Sequence, residues 1–325
     1  MLIIPIFIPH AGCPHDCCFC DQKKISGQKN PPDEAEVIKI VESYLDITSN
    51  YETVQIAFFG GSFTAIPREM QEKYLKTVAP YIESGAVSSV RLSTRPDCID
   101  DDVLIFLRKY NVRTIELGAQ SMDDDVLLAS GRGHTAADTV KSSELIRAYG
   151  FELGLQTMTG LPGASYMSDI ATCEKIIELK PDIVRIYPTV VLRDTFLHKM
   201  CENGTYLPPT LEKTVALCAE LMLQYRDNNI KVIRMGLQAS DGVSMDGEIV
   251  AGPYHPAFGQ LVKSHIAYNR LVKMALESKD NTESKIFTAY VPKEELSDYI
   301  GQKKCNVERL KKQFGYQKVI IKSIN

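Results

Sequence analysis

Three cysteines near the start of the chain, Cys13, Cys17 and Cys20, are spaced C-x-x-x-C-x-x-C, with Phe19 just before the last. They follow a short apolar run, Leu2 to Ile8, that reads as a strand. Soft thiolates suit iron–sulfur clusters. Three of them on one compact loop can ligate three irons of a 4Fe–4S cubane and leave the fourth without a protein ligand. An open iron is what a cluster needs if it is to bind and cleave a small molecule. The alternative is a zinc knuckle using Cys13, Cys17, Cys18 or Cys20 with His10 or His15, but no second C-x-x-C follows at the usual distance. Cys18 reads as a bystander between ligands, and Cys98, Cys173, Cys201, Cys218 and Cys305 as ordinary small apolar residues.

The elements that must position these cysteines alternate regularly. Strand-like runs at Leu2–Ile8, Thr53–Phe59, Ser89–Ser93, Arg113–Gly118, Phe151–Thr157, Asp182–Tyr187 and Lys231–Met235 are separated by helical stretches such as Pro32–Ser49, Arg68–Ser84, Asp101–Tyr110, Ala136–Tyr149 and Ser168–Leu179. Such β-then-α order predicts a parallel sheet with helical crossovers. The fold class is α/β, a partial (β/α)6 TIM-like barrel whose chemistry sits at the C-terminal ends of the strands. The cysteine loop, the Gly60-Gly61 turn and the loops after Ser93, Gly118, Thr157 and Tyr187 would converge there. The barrel is expected over residues 1–240. A Gly- and Pro-rich linker from Asp241 and a helix from Gln260 to Glu277 fill 241–284, and a small α+β module fills 285–325.

Composition is that of an ordinary globular protein, with 44% hydrophobic and 24% charged residues. Met1 leads into a strand without a basic leader, and no apolar stretch is long enough to span a bilayer. Clustered reduced cysteines without an export signal predict a cytoplasmic protein. Charge is uneven: residues 285–325 carry nine Lys/Arg against four Asp/Glu, whereas residues 1–284 carry 28 against 37. A basic tail on an acidic body points to the tail as the part that meets a polyanion.

The cysteine spacing is the signature of the radical S-adenosylmethionine (SAM) enzymes, and this segment resembles them. In that light Phe58-Phe59-Gly60-Gly61-Ser62 resembles the glycine loop that holds the methionine amino group of SAM, with Ser62 where many relatives have Glu. The resemblance implies a SAM site lined by Phe19, Gly60, Gly61, Ser62, Ser93, Arg95, Glu116, Gln120, Gln156 and Tyr187. Glu116 also reads as half of a buried salt bridge with Arg95 or Arg132. His134 reads as a packing residue at a helix start, and the runs Asp100–Asp102 and Asp123–Asp125 as helix N-terminal charge.

Four ordered motifs narrow the resemblance: STRPD (93–97), IELGAQSMDDDVL (115–127), GRGHT (131–135) and RIYPTVVLRDTFL (185–197). Together they are similar to the radical SAM half of the Elongator catalytic subunit family, which modifies wobble uridines in tRNA with a SAM-derived radical and acetyl-CoA. The acetyltransferase domain that follows in that family has no counterpart in this sequence, so the acetyl step is not carried over. The resemblance implies a one-electron reductant such as flavodoxin or ferredoxin, and names no catalytic side chain. A radical SAM enzyme acting on a small metabolite, as the oxygen-independent coproporphyrinogen oxidases do, and a non-catalytic RNA-binding adaptor are the competing readings.

Residues 286–322 read as β-α-α-β, with Gly301-Gln302-Lys303-Lys304 between the helices. This resembles the core of a KH module, whose GxxG loop holds nucleic-acid backbone; Lys304 replaces the second glycine. Gly301, Lys303, Lys304, Arg309 and Lys312 are the implied RNA-binding residues. A small capping subdomain with a solvated basic face is the plainer reading of the same segment.

Overall fold

Seven strands form one curled, wholly parallel sheet. The computed structural model of the chain describes residues 1–9, 13, 15, 17–21, 25, 30–46, 51–237, 247–278 and 285–324. His10, residues 238–240, the first part of the glycine-rich linker (241–246) and residues 279–284 lie outside them. The sheet is built from β1 (Leu2–Ile8), β2 (Val54–Gly60), β3 (Ser89–Thr94), β4 (Val112–Gln120), β5 (Glu152–Thr159), β6 (Ile183–Pro188) and, after the two-residue β7 (Val191–Leu192), β8 (Lys231–Met235). Spatial order follows chain order, with β1 and β8 as the two edges, so the barrel is open. Parallel neighbours need long crossovers. Those crossovers are α1 (Glu34–Leu45), α2 (Arg68–Glu83), α3 (Asp101–Arg108), α4 (Asp124–Ala129), α5 (Ala136–Ala148), α6 (Tyr166–Glu178), α7 (Phe196–Glu202) and α8 (Leu211–Asp227).

The sheet's strands are apolar over most of their length because both faces are covered. Ile4, Ile6, Ile56, Val90, Leu92, Ile115, Leu117, Leu153 and Val184 are fully buried against helix residues such as Val41, Leu75, Leu104 and Ile176. Each such side chain contributes about 1.5–3 kcal/mol relative to exposure. The acidic runs cap helices, as expected. The Asp100 carboxylate accepts from the Val103 N–H, and Asp123 from those of Asp125 and Val126. Capping boxes at Asp33/Glu36, Thr135/Asp138 and Ser165/Ser168 start three more helices.

Beyond the sheet, β9 (Ile249–Ala251) pairs antiparallel with β7. The long helix α9 (Phe258–Glu277) then works as a spine. Its first half, through Phe258, Val262 and Ile266, packs into the barrel core. Its second half, through Ala267, Tyr268, Leu271 and Ala275, packs against the C-terminal module. That module consists of β10 (Ile286–Pro292), α10 (Leu296–Ile300), α11 (Cys305–Phe314) and β11 (Lys318–Ile324), and β10 and β11 pair in parallel. Asn306, 1% exposed, fixes the docking: its amide donates to the Ser264 carbonyl and hydroxyl and to the Asp298 carbonyl. Among the described residues no helix is long and apolar enough to cross a membrane.

Candidate active site

At the C-terminal ends of β1 and β2 the backbone forms a tight junction. Gly60 has φ +109°, and a Cβ there would stand 2.9 Å from the Ile8 carbonyl oxygen. The next residue, Gly61, donates its N–H to that carbonyl at 2.8 Å. Only glycine combines this φ with so close an approach. The turn therefore sits on the strand end from which the cysteine loop departs. Ser62 follows, 2% exposed, with its hydroxyl 3.9 Å from the Cys13 sulfur.

The four clustered cysteines divide into two kinds. Cys18 is buried with Val191, Leu197 and Tyr206, its N–H donating to the Ser130 carbonyl and its carbonyl accepting from Leu197. Burial, with the neighbouring Cys17 adding, pushes its thiol up to about 12, and its packing against Val191, Leu197 and Tyr206 gives it a structural role. Cys13, Cys17 and Cys20 are only partly covered. The Cys20 N–H donates to the Cys17 carbonyl at 3.0 Å, closing the loop on itself. Burial, then Cys17 and Cys13, push the Cys20 thiol up to about 12, with Arg132 opposing. Arg132 also donates from Nη1 to the Cys17 sulfur at 3.2 Å. Thiolates in such a place need cations beside them, which iron and Arg132 can supply. Among the described residues no three Cys, His, Asp or Glu side chains converge as a single ion requires. A cubane instead distributes its thiolates over separate irons.

Beside this loop the end of β4 leaves polar atoms without partners. Gln120, at φ +64°, has its Oε1 buried and unbonded, as are Arg132 Nε and His134 Nδ1. Arg132 is held by Nη2 on the Gly118 carbonyl at 2.6 Å. Arg95 grips Asp97 through Nε and Nη2 at 2.9 and 3.1 Å and reaches the Arg132 carbonyl at 2.5 Å. Burial, then Arg132 and Arg95, lower the His134 pKa to about 4. The ring is thus neutral and packed, its Nε2 3.2 Å from the Ala119 carbonyl. Buried polar atoms are normally satisfied. Three orphans at one strand end, beside three partly covered thiols, fit a polar cofactor such as SAM next to a cluster.

Deeper in the barrel lies a second polar group. Glu116, 1% exposed, takes Arg91 Nη1 on Oε1 at 2.9 Å, Arg185 Nε on Oε2 at 2.5 Å and Arg185 Nη2 on Oε1 at 3.1 Å. Gln156 bridges Glu116 and the Ser93 hydroxyl, both at 3.1 Å, and Gln55 takes Arg91 at 2.7 and 3.0 Å. Burial works against the Arg185 charge, yet Glu116 and Tyr187 raise its pKa above the ordinary value. Arg185 also lies 5.1 Å from the Phe59 ring.

A family model described as the Radical SAM superfamily matches residues 7–176, and one for the Radical_SAM C-terminal domain matches residues 181–268. This chain belongs to the radical SAM superfamily. Its relatives include the tRNA uridine(34) acetyltransferase of Methanocaldococcus jannaschii, 24% identical over 66% of this chain and 47% of that protein. Human Elongator complex protein 3 is 25% identical over 56% of this chain and 37% of its own length. The chain spans about half the length of the tRNA uridine(34) acetyltransferases it matches. Among solved structures, an archaeal Methanocaldococcus infernus Elp3 with an N-terminal deletion superposes with TM-score 0.67 at 21% identity, covering 85% of this chain and 63% of that one. The coproporphyrinogen III oxidase of Escherichia coli reaches 0.50 at 17% identity, covering 70% and 52%. Both likenesses show the radical SAM fold.

The site residues expected from the sequence fall into two sets within this radical SAM barrel, a lone Phe19, and a set on the C-terminal module. Cys13, Cys17, Cys20, Gly60, Gly61, Ser62, Arg95 and Gln120 lie at the strand ends around the cysteine loop. Ser93, Glu116, Gln156 and half-buried Tyr187 lie on the inner polar group, and Glu116 pairs with Arg91 and Arg185 in place of Arg95 or Arg132. Phe19 packs against the Cys18 cluster. Gly301, Lys303, Lys304, Arg309 and Lys312 stand apart on the C-terminal module. Lys303, Lys304 and Lys312 are exposed, while Arg309 lies 3.9 Å from the Tyr268 ring. Lys303 and Lys304 adopt φ +50° and +63°.

Sequence reasoning missed Arg91, Arg185 and Asp169. Asp169 on α6, 6% exposed, accepts the Gly160 N–H at 3.0 Å, while the Tyr206 hydroxyl donates to the Gly160 carbonyl at 2.6 Å. Together they clamp the loop after β5. Burial raises the Asp169 pKa to about 7, with the Gly160 N–H opposing. A carboxyl whose folded pKa is raised binds its proton more tightly in the folded state, so folding stability falls as pH rises from about 4 to about 7. Asp169→Asn is expected to remove that fall, making the variant more stable than wild type at pH 8 and nearly equal to it near pH 4. Urea melts at the two pH values measure it; equal differences at both would show that Asp169 is not protonated in the fold.

Proposed function

We propose that this chain is a radical SAM enzyme that modifies tRNA, with Cys13, Cys17 and Cys20 holding a 4Fe–4S cluster and the strand ends beside them holding SAM. The observation that carries the cofactor reading is the seating of the cysteine loop. Cys13 faces Ser62 of the glycine turn, Cys17 faces Arg132, and Cys18 packs into a small core with Val191, Leu197 and Tyr206. Held by Cys13, Cys17 and Cys20, a cluster would supply one-electron reduction of SAM, giving methionine and a 5′-deoxyadenosyl radical able to abstract hydrogen from a substrate.

The chain's own residues do the rest. The Gly60-Gly61 backbone is free of side chains and would accept the methionine ammonium. Gln120 Oε1 and His134 Nδ1, buried without partners, are acceptors, and Arg132 Nε is a donor. Arg91, Glu116, Arg185 and Gln156 brace one another across four strands. The tRNA reading is supported by the names of the relatives and by exposed Lys303, Lys304 and Lys312 on a basic module. In this reading residues 1–240 carry the chemistry, 241–284 connect, and 285–325 contact RNA. A flavodoxin or ferredoxin would supply the electron.

The test is a comparison of modified nucleosides in tRNA from cells with and without the gene. One nucleoside is expected to disappear and to return with the wild-type gene. An unchanged profile would contradict the tRNA reading and favour a small-molecule substrate.

A further inference from the structure

Among the described residues nothing covers one face of the C-terminal module. Along the parallel pair, Ile286 faces Lys318, Thr288 faces Ile320, Tyr290 faces Lys322 and Pro292 faces Ile324. Side chains alternate across a sheet. Phe287, Ala289, Val291 and Val319 turn inward onto α9, α10 and α11. The other set turns outward: Ile286 is 50% exposed, Tyr290 56% and Ile324 52%, with Lys318 and Lys322 exposed beside them. The side chains of Tyr290, Lys318 and Lys322 have no partner among the described residues. No acidic residue lies among the outward positions of either strand. The Gly301–Lys304 loop joins the two helices that cover the opposite face.

The charge pattern selects the occupant. A second copy of the same face would set lysines against lysines with no carboxylate to offset them, which is repulsive. A tyrosine ring with Lys322 directly across from it, and Lys318 further along the same strand beyond Ile320, suits a chain of planar rings joined by anions. Bases stack on the ring and phosphates meet the ammonium groups.

We propose that this face, centred on Tyr290 with Lys318 and Lys322, is a stacking platform for a single-stranded segment of RNA. It rests on the tRNA reading and adds a second contact surface, distinct from the glycine loop and from the radical site. A single strand fits because its bases are unstacked and available, whereas a duplex hides them.

The experiment measures binding of fluorescent tRNA and of a short single-stranded RNA to the full chain across a salt series. Wild type is compared with Tyr290→Ala, Tyr290→Phe, Lys318→Ala/Lys322→Ala and Lys303→Ala/Lys304→Ala. Tyr290→Ala is expected to weaken binding about tenfold and Tyr290→Phe to restore it. The Lys318/Lys322 pair is expected to flatten the salt dependence by about two phosphate contacts. These side chains are exposed, and unchanged thermal melts confirm that the variants fold. If wild type binds tRNA and only the Lys303/Lys304 variant weakens it, the platform is overturned while the tRNA reading stands. If wild type binds neither RNA, both fall. If Tyr290→Ala instead abolishes a dimer seen in sedimentation, the face pairs copies of the chain and the proposal is overturned.

Discussion

Exchange of Cys17 for alanine is expected to give a folded protein that retains no iron–sulfur cluster and cleaves no SAM. The Cys17 side chain is partly exposed, and its one described side-chain contact is Arg132. The loop closure uses its backbone carbonyl, which alanine keeps. Stability should therefore move little, whereas iron and acid-labile sulfide should fall to background on anaerobic reconstitution. Cys18→Ala is the control one position away. It empties part of a small core shared with Val191, Leu197 and Tyr206, at a cost of about 1 kcal/mol, and should leave the iron content intact. The opposite pattern, with iron lost at Cys18 and kept at Cys17, would reassign the ligand set.

The second large effect is expected at Glu116. Replacing it with alanine leaves the Arg91 and Arg185 guanidinium groups buried without their shared carboxylate. Breaking such a buried ion group by removing one partner costs about 3–5 kcal/mol. That is a large share of a typical domain's margin, so Glu116→Ala should lower the urea midpoint sharply or leave the protein insoluble. Glu116→Gln keeps the shape but turns an amide towards cationic donors, and should recover only part of the loss. A change below 1 kcal/mol for either variant would show that water already reaches this group.

Elements were legible where side-chain pattern alone decides them. The limits of β1 and β8 were readable to the residue because apolar and β-branched runs there stop at turns. At β4 the strand continues to Gln120 through an irregularity between Gly118 and Gln120, and its left-handed φ is not written in residue types. The cysteine loop and glycine turn were legible because thiolate spacing and paired glycines are local signals. The partners of Glu116 were not: Arg91, Ser93, Glu116, Gln156 and Arg185 meet only through the register of four adjacent strands, which depends on the order of the whole sheet. Asp169 was invisible for a related reason. It reads as a surface acid at a helix start, and only the approach of Gly160 and Tyr206 buries it. The helix at Gln260–Glu277 was readable as a helix, but its role as a spine between two cores depends on a module that folds later in the chain.

Reductive cleavage of SAM tests the account most directly. Anaerobically purified protein, with its iron and sulfide content known, is incubated with SAM and dithionite, and 5′-deoxyadenosine is quantified. The expected product requires the reductant, rises with iron content and vanishes in Cys17→Ala but not in Cys18→Ala. A protein carrying a full complement of iron and sulfide that releases no 5′-deoxyadenosine would contradict it.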